Sequence, residues 1–460
     1  MSFSPERAEI RFGCGLSPQF APPTSLSGLL AGLDGPDAMA DRFPMLSYDA
    51  YITRRAHWLD LRKKRRTSSG ARAEAFAKQA AAVNRSFYED RVRGFGLTAL
   101  RWSLTDQGLR ERLALFWADH FTTVGKSAPQ RSLISIYIDA AIRPNLSGRF
   151  ADLLIAAVTH PMMLAYLDQQ TSVGPGSVYA QRQSKLRGLN ENLAREVMEL
   201  HTLGVDGPYT QADVRQLAEL FTGLGISKTG ALQFNQRRAE PGSESVLGRS
   251  YGGDPARLEP VLQVLRDLAV HPATADHIAR KLAVHFVSDS PDPGLVDHMA
   301  ARFLATDGDL RAVYAAMLEH PAAWHDGPGN VKPPFDFVAS ACRALAVPQD
   351  RLQDTSVRQM NRLLVQPIGV MGQSWQRPSG PDGWSEEDTA WVTPQGLSAR
   401  LRWAMAVPTR MLPELPDPRQ FVTDALGATV PEPVRFAARA AETRAEAVGL
   451  ILSAPAFQRR

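Results

Sequence analysis

At 460 residues, with 44% hydrophobic and 22% charged side chains, the chain has an ordinary globular composition and ample apolar material for a core. Its 52 basic and 48 acidic residues leave a net charge of only +4, too balanced for a nucleic-acid binder. The two cysteines, Cys14 and Cys342, exclude a thiolate zinc cluster and read as inert thiols, and no run approaches the ~20 apolar residues of a membrane span.

The opening Met1–Arg7 lacks the apolar stretch of a secretory signal. The chain therefore reads as cytoplasmic, as a processed form, or as a protein that reaches the periplasm bound to an exported partner. The length would hold two or three average domains. We expect one large helical domain over 1–460, with a loop-rich part over 1–70 as its separable portion.

Periodicity predicts an all-α fold with long irregular loops and at most a short hairpin. The region up to Ser47 is rich in Pro, Gly and Leu and reads as loops with short helices. The dense basic run Arg62-Lys63-Lys64-Arg65-Arg66 is expected in a solvated loop, with contact to an acidic protein or a polyanionic glycan as the functional alternative. Helices follow at Ala71–Arg93, Gly108–Phe121, Ser132–Ile142 and Gly148–Leu167, the last interrupted near His160-Pro161. Thr210, with Asp213 three residues on, opens another as a capping-box variant. Ser227–Gly253 reads as a long loop or short hairpin. Helices resume at Leu258–Val270, Thr274–Val287, Pro293–Ala305, Leu310–Leu318 and Phe335–Ala346. The stretch Gln366–Pro394 carries Trp375, Trp384 and Trp391 among Gly and Pro and reads as a packed irregular loop. The closing helices are Gln395–Ala404, Arg419–Leu426 and Pro433–Ser453.

The most informative segment lies between Asn190 and Gly204. Asn190 suits an N-cap, Glu191 the positive helix end, and Gly204 a helix stop. At about 100° per residue, Glu191, Thr202, Arg195, Glu199, Asn192 and Glu196 share roughly 140° of the wheel. Such an arc is either a solvated face or a site.

The same segment carries a family resemblance. Asn190-Glu191-Asn192, Ala194-Arg195-Glu196, Glu199-Leu200-His201-Thr202-Leu203-Gly204 and Tyr209–Val214 resemble the signature of the bacterial domain-of-unknown-function family 1800. So do Phe116-Trp117-Ala118-Asp119-His120-Phe121, Thr222-Gly223, Val246-Leu247-Gly248, Lys281-Leu282 with Phe286-Val287, Lys332-Pro333-Pro334, Gly383-Trp384 and the closing Ser453–Arg460. The resemblance implies a mostly helical fold without an assigned reaction, frequent export, and a sulfatase-like neighbour of the domain-of-unknown-function family 1501. Where that pattern has His-Asp…Lys, this chain reads Ala239-Glu240-Pro241-Gly242-Ser243-Glu244. Any role needing that His or Lys is in doubt here.

His120 sits in the middle of an apolar stripe with Leu109, Leu113, Phe116 and Trp117, where a buried imidazole needs a partner. A carboxylate from the Asn190–Gly204 helix would make it a general base or a metal ligand; the plain alternative is a core histidine bonded to a backbone carbonyl. Arg195 stands four residues from both Glu191 and Glu199, as an ordinary surface ladder or as an anion clamp, with Glu196 and Glu199 as proton carriers and Asn192 as an orienting amide. His201 points away from the arc and reads as a core residue. Glu196, Glu199 and His120 would also suit a divalent metal, although no H-E-x-x-H run is present. Asp307-Gly308-Asp309 reads as a cap rather than a ligand pair. Trp384 is either a stacking platform for a sugar face or a plug between helices. Phosphate-binding and nucleophile-elbow glycine motifs are absent. The leading reading is a hydrolase or lyase acting on a polar small molecule, an anion or a glycan. The alternative is a non-catalytic companion of a sulfatase-like protein.

Overall fold

The computed structural model describes residues 3–182 and 188–460. As the periodicity predicts, the fold is all-α, with 62% of residues helical and 5% in strands. Two apolar clusters form the interior. One gathers Leu113, Trp117, Phe121 and Phe150 with the helices Glu259–Ala269, Pro272–Phe286 and Leu310–Glu319; the other gathers Phe95, Phe335, Phe337, Trp403 and Phe421. The long helix Gly70–Leu104 supplies residues to both, Phe87 to the first and Phe95 to the second.

The basic run departs from expectation. Arg62–Arg66 closes the helix Tyr48–Arg66 instead of lying in a loop. Ser47 caps that helix by accepting the Ala50 N–H, and Arg62 lies 4.6 Å from the Trp58 ring centre one turn back. Four cations in its last turn oppose the negative helix end, so local electrostatics account for them without a ligand.

For Ser227–Gly253 the hairpin alternative is the one found, with two hairpins rather than one. Strands β1 (Leu224–Ile226) and β2 (Leu232–Phe234) pair antiparallel, as do β3 (Gly242–Val246) and β4 (Arg249–Gly253). The second turn places Leu247 at φ 50° and Gly248 at φ 75°. Leucine rarely adopts that conformation, which hides the turn from sequence reasoning. Tertiary contact supplies the reason: the Leu247 N–H donates to Asp213 at 2.8 Å, and Asp213 closes the predicted capping box with Thr210.

Between Asn190 and Gly204 the chain forms an α-helix over Asn192–Glu196 and then a wider π turn over Val197–His201. The N-cap is Glu191 rather than the expected Asn190, whose Oδ1 instead accepts the N–H of the first helical residue, Asn192, at 3.0 Å. The Leu203 N–H donates to Met198 O across five residues, and Gly204 takes φ 88° where the helix stops. The predicted break at His160-Pro161 is present, with helices Phe150–Thr159 and Pro161–Tyr166 on either side. Asp309 caps the helix Leu310–Glu319 through the Ala312 N–H. The closing segment Pro433–Ser453 is two helices, Glu432–Ala440 and Arg444–Ser453, rather than one. Among the described residues no helix is long and apolar enough to cross a membrane.

Candidate active site

His120 ends the helix Gly108–His120, buried among Trp117, Phe121 and Phe150. It does meet the Asn190–Gly204 segment, but through the backbone: Nε2 lies 3.2 Å from the His201 carbonyl, and Nδ1 has no partner among the described residues. Burial first, then Lys281, His201 and His277, hold its pKa well below the usual histidine value. It is therefore neutral at neutral pH, with Nε2–H donating to the carbonyl.

The polar arc is partly solvated, with Thr202 fully buried. Arg195 bonds Glu199 at 3.0 Å, Gln211 at 2.9 Å and Glu191 at 3.5 Å, and its side chain is 39% exposed. Asn192 is exposed. Glu196 is half-buried; burial, then Glu199 and Asp382, push its carboxyl up to about 7. Among the described residues no three His, Cys, Asp or Glu side chains converge as a metal-holding group.

A different set of residues converges on a half-open cavity of about 120 Å3. Its walls are largely aromatic and aliphatic: Trp102, Phe116, Phe335, Trp375, Ile134 and Ile138. Trp384 lines it, and so does Asp119, the neighbour of His120. The Trp384 N–H donates to both Asp119 oxygens, at 3.1 and 3.0 Å. Gly383 makes this approach possible, because it sits at φ 84° and a Cβ there would stand 2.5 Å from the Asp119 carboxylate. Burial, then Glu386, push the Asp119 carboxyl up to about 7, against the lowering effects of Lys281 and the Trp384 N–H.

Across the chain, the last turn of the helix Pro272–Phe286 brings His285 to the same cavity. Its Nδ1 lies 2.6 Å from Glu386 Oε1. Burial works against the charge on Glu386, but His285, Arg460 and Lys281 outweigh it and bring the carboxyl down to about 2. Burial lowers His285 to about 4, against the opposing pull of Glu386. The pair at neutral pH is thus a neutral imidazole donating Nδ1–H to a carboxylate, leaving Nε2 as a bare acceptor. That Nε2 is buried and without a partner among the described residues.

Behind the pair lies a charged network. Asp336 accepts from Arg112 Nη1 at 2.8 Å and from Arg460 Nη1 at 3.2 Å, and Arg460 Nη2 also donates to the His285 carbonyl. Burial opposes the Asp336 charge, but Arg112, Arg460 and Lys332 hold its carboxyl far below the ordinary range. Arg112 Nε reaches Gly13 O at 2.6 Å and Trp102 Nε1 donates to Cys14 O, so the N-terminal segment is tied to the same network. The segment carrying Glu386 is held by Asp388, which accepts the Val331 N–H and pairs with Arg459 at 2.6 Å.

Of the residues singled out from sequence, Trp384 lines this cavity; His120, Asn192, Arg195, Glu196 and Glu199 do not. The regions still adjoin electrostatically, since Asp382 raises both Asp119 and Glu196. Sequence reasoning missed Asp119, His285, Glu386, Asp336, Arg112 and Arg460. A signal for most of them was present: Asp119 lies inside Phe116–Phe121, His285 adjoins Phe286-Val287, Asp336 and Glu386 lie two residues beyond Pro334 and Trp384, and Arg460 ends the closing motif. Separate motifs that meet in space are a stronger indication than any one of them.

Residues 12–459 match the family model described as protein of unknown function (DUF1800). No curated protein matches the chain, and no solved structure does.

Proposed function

The chain belongs to the DUF1800 family, and from that premise and the cavity we propose that it is an acid–base enzyme, a hydrolase or lyase acting on a polar small molecule. The observation that carries this reading is His285, which lines the same cavity as Asp119, is oriented by Glu386 at 2.6 Å and has a buried Nε2 without a partner among the described residues. His285 Nε2 would take a proton from water or from the substrate, and Glu386 would stabilise the imidazolium that forms. Asp119, with a carboxyl near 7, retains protons at neutral pH and would protonate the leaving group. A cavity of about 120 Å3 compares with the ~150 Å3 that accommodates a benzene ring. The reacting part of the substrate is therefore ring-sized, either a free small molecule or the end of a glycan.

The test is turnover on a panel of aryl glycosides, aryl esters, aryl sulfates and uronides open to elimination. Wild type is compared with His285→Gln and Glu199→Gln. On the substrate that turns over, His285→Gln is expected to lose about 10²–10⁴-fold, with Glu199→Gln near wild type. The reverse pattern would return the chemistry to the polar arc.

A second reading, a companion that binds a sulfatase-like partner and is exported with it, is favoured by one surface feature. Leu397, Leu401 and Met405 are exposed at four-residue spacing along the helix Pro394–Ala406, and Leu450, on the helix packed against it, is exposed as well. Loss of binding to such a partner in Leu401→Asp would support this reading.

A further inference from the structure

Of the fifteen buried side-chain atoms without a hydrogen-bond partner among the described residues, six belong to residues that line this one cavity. Arg112 Nη2, Trp375 Nε1 and Arg460 Nε can only donate, and the Thr123 hydroxyl both donates and accepts. His285 Nε2 accepts, because its Nδ1–H goes to Glu386. Gln376 Nε2 donates to Ser135 Oγ at 2.9 Å, which leaves Oε1 as a second bare acceptor. Unpaired buried polar atoms are rare and costly, so their gathering around one space points to a ligand that donates as well as accepts.

The charges of the lining argue for an uncharged ligand. Asp336 pairs with Arg112 at 2.8 Å and Arg460 at 3.2 Å, and Glu386 lies 3.5 Å from Arg460 and 2.6 Å from His285. Two guanidinium groups thus meet two carboxylates with none left over, and Asp119, when ionised, adds a negative charge. An anion would meet carboxylates already in place, while a cation would meet three unpaired donors, two of them on arginines. Hydroxyl groups are neutral and both donate and accept, as this mixture requires.

The six atoms also come from separate parts of the chain: Arg112 and Thr123 in and just after the helix Gly108–His120, His285 on Pro272–Phe286, Trp375 and Gln376 in the irregular segment, and Arg460 at the end. Such a lining suits polar groups spread around a ring. A cyclic amide, with its donor and acceptor on one edge, would leave most of them unmatched. Trp102, Phe335, Trp375 and Trp384 supply aromatic faces, whose negative potential attracts the C–H side of a saturated ring.

We infer that the cavity binds an uncharged ring bearing several hydroxyl groups, a neutral sugar unit. The inference rests on the reading of this cavity as the working site, and it narrows the substrate to neutral glycosides, with uronides and sulfates excluded.

The experiment titrates the full chain by ligand-observed NMR with the methyl pyranosides of glucose, galactose, mannose and N-acetylglucosamine. Methyl glucuronide, δ-valerolactam and tetrahydropyran-2-methanol serve as the anionic, amide and single-hydroxyl comparators. At least one neutral pyranoside is expected to bind about tenfold or more tightly than every comparator. Ala118→Phe, which fills the cavity from its lining, is expected to abolish that binding. Thr123→Val, which removes one hydroxyl without adding bulk, is expected to weaken it about 2–10-fold. No pyranoside binding, a comparator binding as tightly as the best pyranoside, or affinity unchanged in both variants would overturn the inference. The turnover panel separates the two readings. A pyranoside bound in this way but never turned over keeps the sugar site and removes the acid–base centre. His285-dependent turnover of an aryl ester without pyranoside binding removes the sugar and leaves the acid–base centre standing.

Discussion

The polar arc over Asn192–His201 and the cavity around His285 use the same residue types, Arg, Glu and His, to opposite ends. In the arc, Arg195 reaches Glu191, Glu199 and Gln211 within one face, and the group is partly solvated. In the cavity, Arg112, Arg460 and Glu386 come from distant parts of the chain, satisfy one another incompletely, and leave donors and one imidazole nitrogen unpaired among the described residues. A satisfied ladder stabilises a helix; an unsatisfied buried network is where a ligand gains most. Location in the fold, rather than composition, separates the two.

Substitution at the two centres should expose the contrast most plainly. Asp336→Ala strands Arg112 and Arg460 without their shared carboxylate, and should cost about 3–5 kcal/mol in urea denaturation. A loss under 1 kcal/mol would mean that the network contributes no more than a surface pair.

Acid should act on the buried histidines. His285 and His277 are brought to about 4 and His201 to about 3, in each case by burial first. The unfolded chain takes up these protons below about 6.5 while the folded one does not, so their contribution to stability is intact above that pH and falls as pH drops toward 4. Each such group contributes a slope of up to about 1.4 kcal/mol per pH unit. His285→Gln should remove one proton's worth of this slope between pH 6.5 and 4, as read from unfolding free energies across that range.

Asp119 has the opposite sign. Its carboxyl is raised to about 7, so the folded state favours the protonated form and wild type loses stability as pH climbs from about 4 to 7. The melting temperature of Asp119→Asn relative to wild type should therefore rise over that interval and level off above it. A difference independent of pH would show that Asp119 ionises normally in the folded protein.

The smallest effect belongs to the arc. Arg195→Ala removes partly exposed ion pairs and should cost about 0.2–1 kcal/mol with turnover unaffected. Loss of turnover at full stability would make Arg195 the anion clamp and move the working site to the arc.

Much of the local structure was legible because it depends on neighbours in the chain. The Thr210–Asp213 capping box, the break at His160-Pro161 and the stop at Gly204 each follow from side-chain and backbone chemistry within a few residues. The Tyr48–Arg66 helix was obscured because its charged last turns imitate a solvated loop. The Leu247-Gly248 turn was obscured because a distant carboxylate, Asp213, stabilises it.

The sequence by itself determined an all-α chain, its main caps and breaks, and motif segments that contain Trp384 and Arg460 and adjoin His285. Only the tertiary structure decided that His120 would bond a backbone carbonyl rather than a carboxylate, and that Asp119, His285, Glu386 and Arg460 would share one cavity. The reason is physical. Helix periodicity and capping act over a few residues, whereas burial, charge balance and an unpaired nitrogen are properties of a place where several segments meet, and periodicity within one segment does not encode which others will lie against it.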